Sequence, residues 1–252
     1  MKIKAEGKIL CFAKDIKQAR EIQLRMKDKI ARRNMIDYKS ADLIAGCDVA
    51  YKGGRAKSAV TVYSKKQKKF VEDVTSDVPC EFPYVPGFLA FREAPALIAS
   101  LEKLKSDPDI FIFDGQGLSH PFHMGLATHM GIVLDKPSVG CAKSRLYGIA
   151  EEPPLIKGSY TFIKEKTGEL LGICFRSRKS VKPLWLSIGW GVDIPLVLET
   201  VSETMGKYKL PEIMRRADKL SKFEKATPKL KARRGATADS EAPTSSRAMV
   251  DK

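Results

Sequence analysis

Residues 108–117 read Pro108-Asp109-Ile110-Phe111-Ile112-Phe113-Asp114-Gly115-Gln116-Gly117, an unbroken apolar run that ends in an acid and a glycine-flanked loop. Such a run predicts a strand covered on both faces, as in a parallel sheet. A parallel sheet needs crossover helices, and the chain on either side supplies them. Upstream, residues 14–33 place Ile16, Ala19, Ile22, Gln23, Met26 and Ile30 on one face at helical spacing, with basic residues on the others. Residues 42–51 and 58–64 are strand-like and flank Gly53-Gly54, which predicts a β-hairpin, extended by a third strand over 69–78. Residues 88–104 read as a helix kinked ahead of Pro95. Downstream, 121–134 reads as a helix, 136–141, 159–164, 169–175 and 184–188 as strands, and 193–205 as a closing helix. A β-meander followed by alternating helices and strands predicts an α/β fold with a mixed sheet.

The chain has 252 residues, and its 45 Lys+Arg against 30 Asp+Glu leave a net charge of +15. That balance points to a phosphate-rich partner. No run reaches the 18 or so apolar residues that a membrane helix needs, and the first 30 residues are studded with Lys and Arg. The expected location is therefore cytoplasmic, with no membrane partner. Five widely spaced cysteines without a C-x-x-C pair exclude a disulfide framework and a zinc ribbon. With three histidines in all, a catalytic metal would have to rely on oxygen ligands, which favours Mg²⁺, with Mn²⁺ able to substitute.

Three acids stand where burial penalises them: Asp48 within an apolar strand, Glu93 within an apolar stretch of helix, and Asp114 at the end of the buried strand. A shared divalent cation would compensate all three and suits phosphoryl transfer. The loop Gly115-Gln116-Gly117 leads to His120. Lys143 and Arg145 follow a short strand, where cations can hold a phosphate. Pro83-Tyr84-Val85-Pro86-Gly87 presents an aromatic on a proline-stiffened loop, a shape able to wedge between bases. Taken singly, these features also read as turns, caps and solvated surface.

In series they are more specific. Ile44-Ala45-Gly46-Cys47-Asp48-Val49-Ala50-Tyr51, Tyr84-Val85-Pro86-Gly87-Phe88-Leu89-Ala90-Phe91-Arg92-Glu93, Asp114-Gly115-Gln116-Gly117 with His120, and Gly140-Cys141-Ala142-Lys143 resemble, in order, the motifs of the endonuclease V family. The similarity runs over about residues 14–205. It implies an RNase H-like fold, a mixed central sheet flanked by helices. It also implies an endonuclease for DNA containing deoxyinosine that cuts the second phosphodiester bond 3′ to the lesion, leaving 3′-hydroxyl and 5′-phosphate ends; some members prefer inosine in RNA.

By motif position, Asp48, Glu93 and Asp114 would ligate the metal, Lys143 would contact the scissile phosphate, and His120 would position phosphate or water. Tyr84 would be the wedge, with Pro83, Val85 and Pro86 beside it, and Gly87, Leu89, Gly117, Ala142 and Leu146 would line the hypoxanthine pocket. Where many members carry a late Gly-His pair, this chain reads Gly189-Trp190. Asp193 then has two readings, an extra acid at the site or a residue at a helix N-terminus.

Residues 1–206 are read as the catalytic domain. The stretch 207–252, with 13 Lys+Arg against 6 Asp+Glu, is read as a basic extension, helical at first and then disordered. A monomer is expected. Three rivals remain: another nuclease of the same fold, a non-catalytic nucleic-acid-binding protein, and a zinc protein built on His120, His123 and His129.

Overall fold

The structure, a computed structural model, describes residues 1–223 apart from residue 32. The expected disordered tail, 227–252, lies outside the described residues. The hairpin forms as the Gly-Gly turn requires, β1 (Leu43–Lys52) and β2 (Arg55–Ser64) pairing around Gly53 and Gly54, both at positive φ. β3 (Lys69–Pro79) extends it. α3 (Leu89–Leu101) follows, holding Pro95 inside one continuous helix, and then the buried strand β4 (Ile110–Phe113). Two short elements precede β1: α1 (Ala5–Ile9) and α2 (Ile16–Lys27), the second capped by the Asp15 side chain. α2 buries Ala19, Ile22, Gln23 and Met26, whereas Ile16 is exposed.

The remaining elements are α4 (Leu126–Leu134), β5 (Ser138–Ala142), β6 (Tyr160–Lys164), β7 (Leu170–Phe175), β8 (Leu184–Trp190), α5 (Ile194–Glu203) and α6 (Glu212–Ser221). One mixed sheet runs in the order β3-β2-β1-β4-β5-β8-β7-β6. β1, β4 and β5 are mutually parallel at its centre, and antiparallel strands flank them on both sides. Their carboxyl ends therefore share one edge of the sheet, the usual place for a ligand in such architectures.

Strand alternation sends successive side chains to opposite faces. Ala45, Cys47, Phe111 and Phe113 join the core beneath α2, α3 and α4, while Ile44, Ile110 and Ile112 join the core beneath α5 and α6.

Two expectations are corrected. The helix predicted over 121–134 begins only at Leu126, because His123 takes a positive φ of 52° and Gly125 is the N-cap. The packed fold also continues beyond residue 206. Helix α6 lies on β1 and β2 and buries Ile213, Met214 and Ala217. Burying Ile213 and Met214 is worth roughly 1.5–3 kcal/mol each, a large part of the 5–15 kcal/mol that holds a typical domain together. A chain ended at residue 206 is expected to lose its cooperative thermal unfolding transition; an unchanged melting midpoint would show that α6 is dispensable.

Candidate active site

Side-chain alternation along β1 turns Asp48 toward α6, on the face of Ile44. There the Ser221 hydroxyl donates to Asp48 Oδ2 at 2.6 Å. Asp114, one residue past β4, is tied to β1 by its amide, which donates to the Cys47 carbonyl at 3.1 Å. The parallel register, Cys47 opposite Phe113, thus sets the two aspartates side by side at the sheet edge. Lys143, just after β5, places Nζ 2.8 Å from Asp114 Oδ2. Glu93 enters from α3 and is almost wholly buried, with the Tyr51 hydroxyl and the Arg92 guanidinium as polar neighbours.

The electrostatics tie these residues into one cluster. Burial pushes the Asp48 pKa up to about 6; the Ser221 hydroxyl and Lys143 oppose the rise, while the charges of Asp114 and Asp218 add to it. Burial, and then the charges of Asp48 and Asp114, hold the Glu93 carboxyl well above the usual carboxylate range. Burial works against the charge of Lys143, but its hydrogen bond to Asp114 and the charges of Asp114, Asp48 and Asp218 outweigh it and raise its pKa. Carboxylates that repel one another in a partly dry site are suited to a divalent cation with oxygen ligands. Asp48, Glu93 and Asp114, with Asp218 acting from α6 on Asp48 and Lys143, are the acids coupled by charge at this edge.

Asp218 and Ser221, both on α6, were not singled out in the sequence. The signal for them was weak: an acid and a serine on a charged helix just past the expected end of the domain. Trp190 and Asp193 do not reach the site. β8 runs antiparallel to β5, pairing Trp185 with Ala142 near the site and Trp190 with Ser138 at the far end. There Trp190 Nε1 donates to the Lys29 carbonyl. Asp193 caps α5 by accepting from the Leu196 amide, so the helix-terminus reading is the correct one.

Beside the acids lies a cavity of about 240 Å³. Tyr84, Val85, Pro86, Gly87 and Leu89 form one wall, and Ala142 and Leu146 lie across from them. Tyr84 is 68% exposed at its mouth. Pro83 and Gly117, expected here, are not among the lining residues. Gly117 serves the packing of the loop instead. A Cβ there would come within 2.1 Å of the Ile188 carbonyl oxygen, so its bare backbone lets the loop pass against β8. Gly87 takes a φ of +87°, and its carbonyl accepts from Gln23 Nε2 at 2.9 Å, which anchors the tyrosine loop to α2.

The three histidines go to three places. His120 is in the cavity wall, its pKa lowered to about 4 by burial and then by His123, against a backbone hydrogen bond at Gly87. His129 packs edge-on to the Phe91 ring inside the core. His123 groups instead with Glu165 and Glu169, whose ligand atoms and its own all lie within 4.8 Å of one another. Glu165 already accepts hydrogen bonds from the Tyr147 and Thr167 hydroxyls.

A mixed sheet that gathers acids from parallel strands at one edge, next to a lysine and a cavity with an exposed aromatic at its mouth, defines a nucleic-acid hydrolase of RNase H-like architecture. The chain belongs to the endonuclease V family, whose family model matches residues 24–219. Endonuclease V of Rippkaea orientalis is 39% identical over 223 residues, covering 88% of this chain and 95% of that protein. The crystal structure of endonuclease V from Bacillus subtilis matches with a TM-score of 0.79 and 33% identity over 84% of this chain and 92% of its own. Ciona intestinalis endonuclease V, crystallised with a 24mer DNA containing an inosine followed by a ribo-adenosine, matches with a TM-score of 0.73 and 27% identity over 82% and 95%. The chain is thus a metal-dependent nuclease that hydrolyses phosphodiester bonds. Among the described residues, no helix is long and apolar enough to cross a membrane.

Proposed function

We propose that this protein is a DNA repair endonuclease that takes deoxyinosine into the cavity beside its acids. It hydrolyses the second phosphodiester bond 3′ to the lesion, leaving 3′-hydroxyl and 5′-phosphate ends, and it also accepts inosine in RNA. It acts as a cytoplasmic monomer. The observation that carries this reading is the cavity itself, which opens between the Tyr84 loop and Ala142, directly beside the Lys143–Asp114 pair. The inosine-containing DNA bound by the Ciona relative supports it.

Asp48, Glu93 and Asp114 hold Mg²⁺, with Mn²⁺ able to replace it, and their oxygen donors and mutual repulsion fit such a cation. When bound, the metal supplies an activated water and offsets charge on the leaving oxygen. Ser221 orients Asp48 through its hydrogen bond. Lys143 neutralises the scissile phosphate. Leu89, Ala142 and Leu146 give the base an apolar lining. His120, kept neutral by burial, braces the tyrosine loop from the cavity wall.

Tyr84 fills the gap left by the displaced base. Stacking of that kind is worth about 1–3 kcal/mol, so Tyr84→Ala is expected to slow duplex cleavage roughly 10- to 100-fold more than cleavage of a single strand. Equal losses on the two substrates would contradict the wedge.

Comparing rates on strands that differ only in inosine or adenosine at one position tests the base assignment. The inosine strand is expected to be cut at least about 100-fold faster, since a site matched to one set of donors and acceptors rejects the other. Equal rates would indicate a general nuclease of the same fold.

A further inference from the structure

A second cavity adjoins the base cavity along the sheet edge. It measures about 490 Å³ and is bordered by Lys143, Arg145, Lys182 and Trp185. Ser144 and Arg145 line both. The sheet dictates this continuity, because Ala142 of β5 faces Trp185 of β8, which in turn faces Cys174 of β7. The floor of the second cavity therefore extends the same edge that carries Asp48 and Asp114.

Lys143 and Lys182 line this cavity, and a third lysine, Lys209, comes from a separate segment held next to the end of β7. Lys182 precedes β8, Lys143 follows β5, and Lys209 approaches from the connection into α6. Ser177, two residues past β7, holds the Lys209 backbone beside this end of the sheet, and the Lys209 pKa, lowered first by burial, is lowered further by the charges of Lys182 and Lys143. Among the described residues, no carboxylate lies within 4.0 Å of the Lys182 or Lys209 ammonium. Of the two glutamates at the cavity, Glu151 and Glu152, the second is paired with Arg176 at 2.8 Å.

The segment carrying Lys209 is also fixed in place. Arg178 donates to the carbonyls of Gly206 and Tyr208, the Ser177 hydroxyl donates to the Lys209 carbonyl at 2.7 Å, and the Arg215 guanidinium stacks 3.4 Å from the centroid of the Tyr208 ring. Lys143 already has Asp114 as counter-ion, whereas Lys182 and Lys209, left to one another, are costly to hold together unless an anion joins them.

We propose that this second cavity binds a further backbone phosphate of the same nucleic-acid strand, held by Lys182 and Lys209, with Trp185 against the adjoining nucleotide. The proposal rests on the nuclease reading of the site. It means that the strand is gripped on a flank of the scissile phosphate as well as at Lys143, and that the flank contributes to affinity independently of the base.

The test is binding without cleavage, in EDTA, of a labelled single DNA strand that holds one deoxyinosine and extends well past it on both sides. For Lys182→Gln/Lys209→Gln, the slope of log affinity against log salt is expected to fall by about 1.4, two phosphate contacts at roughly 0.7 each. Lys66→Gln/Lys69→Gln, at the opposite end of the sheet, is expected to leave the slope unchanged. Shortening the strand from one side is expected to erase the difference between wild type and the double variant, and Lys182→Arg/Lys209→Arg to restore the slope.

An unchanged slope in the double glutamine variant, or an equal fall in the Lys66/Lys69 control, would overturn the proposal. Wild-type cleavage of the same strand in Mg²⁺, run in parallel, separates this failure from failure of the nuclease reading.

Discussion

Asp48→Ala and Asp114→Asn are each expected to lower the rate of strand cleavage at least about 1,000-fold, a loss of roughly 4 kcal/mol of transition-state stabilisation. The two aspartates are set side by side by the β1–β4 register, and Lys143 and Ser221 already occupy their other oxygen contacts. Asp218, approaching from α6, adds a further negative charge beside Asp48. Binding of the inosine strand in EDTA should be retained or tightened, since each variant removes a negative charge from a surface that must receive phosphate. Gel quantification of cut product beside a binding titration checks both parts. A variant that cuts at near wild-type rate in Mg²⁺ would remove that residue from the metal site.

The second large effect is on stability. The Asp48 pKa is raised to about 6 in the folded protein, above its ordinary 3.8. The folded state therefore retains a proton that the unfolded chain has lost over the pH range between these values. The associated stabilisation is fully present below about pH 4 and is lost as pH rises through about 6, costing roughly 3 kcal/mol at 1.36 kcal/mol per pKa unit.

Glu93, raised in the same sense, extends the loss to higher pH. His120 and His129, whose pKa values burial lowers to about 4, act in the opposite sense between pH 4 and 6.5, so the Asp48 contribution is read from the difference between wild type and an Asp48 variant. Asp48→Asn should be inactive, yet about 2–3 kcal/mol more stable than wild type at pH 7 and similar to it at pH 4. Mg²⁺ should stabilise the wild type at pH 7 and the variant far less. Denaturant titrations of both proteins at the two pH values read this directly; a stability difference between them that does not grow from pH 4 to pH 7 would refute the electrostatic account of the site.

Much of this site was legible in the sequence because its residues break a local rule. Asp48 interrupts an apolar strand, Glu93 an apolar helix face, and Asp114 ends a buried run, so each acid advertises itself against its neighbours. The Gly53-Gly54 turn fixes the hairpin that carries Asp48. What stayed hidden depends on tertiary contact.

Helix α6 is highly charged, with Arg215, Arg216, Asp218 and Lys219 masking the few apolar residues that meet the sheet. It therefore reads as an extension, and Asp218 and Ser221 are hidden with it. The segment 121–125 carries apolar residues at helix-compatible spacing, but Pro121 and the positive φ of His123 make it a loop, and this sends His123 toward Glu165 and away from the acids. Gly117 looks like part of a base pocket, whereas the β8 backbone beside it is what demands a glycine. The basic cavity draws on residues 143 and 182, with 209 held alongside, a separation that no local pattern reveals.

The most direct measurement uses end-labelled DNA and RNA strands, each with a single inosine, incubated with wild type and Asp48→Ala in Mg²⁺ or EDTA. The account predicts a Mg²⁺-dependent product ending one nucleotide beyond the inosine, absent with the variant and absent in EDTA. Cleavage that persists in EDTA, or binding with no cut product under any condition, would contradict it.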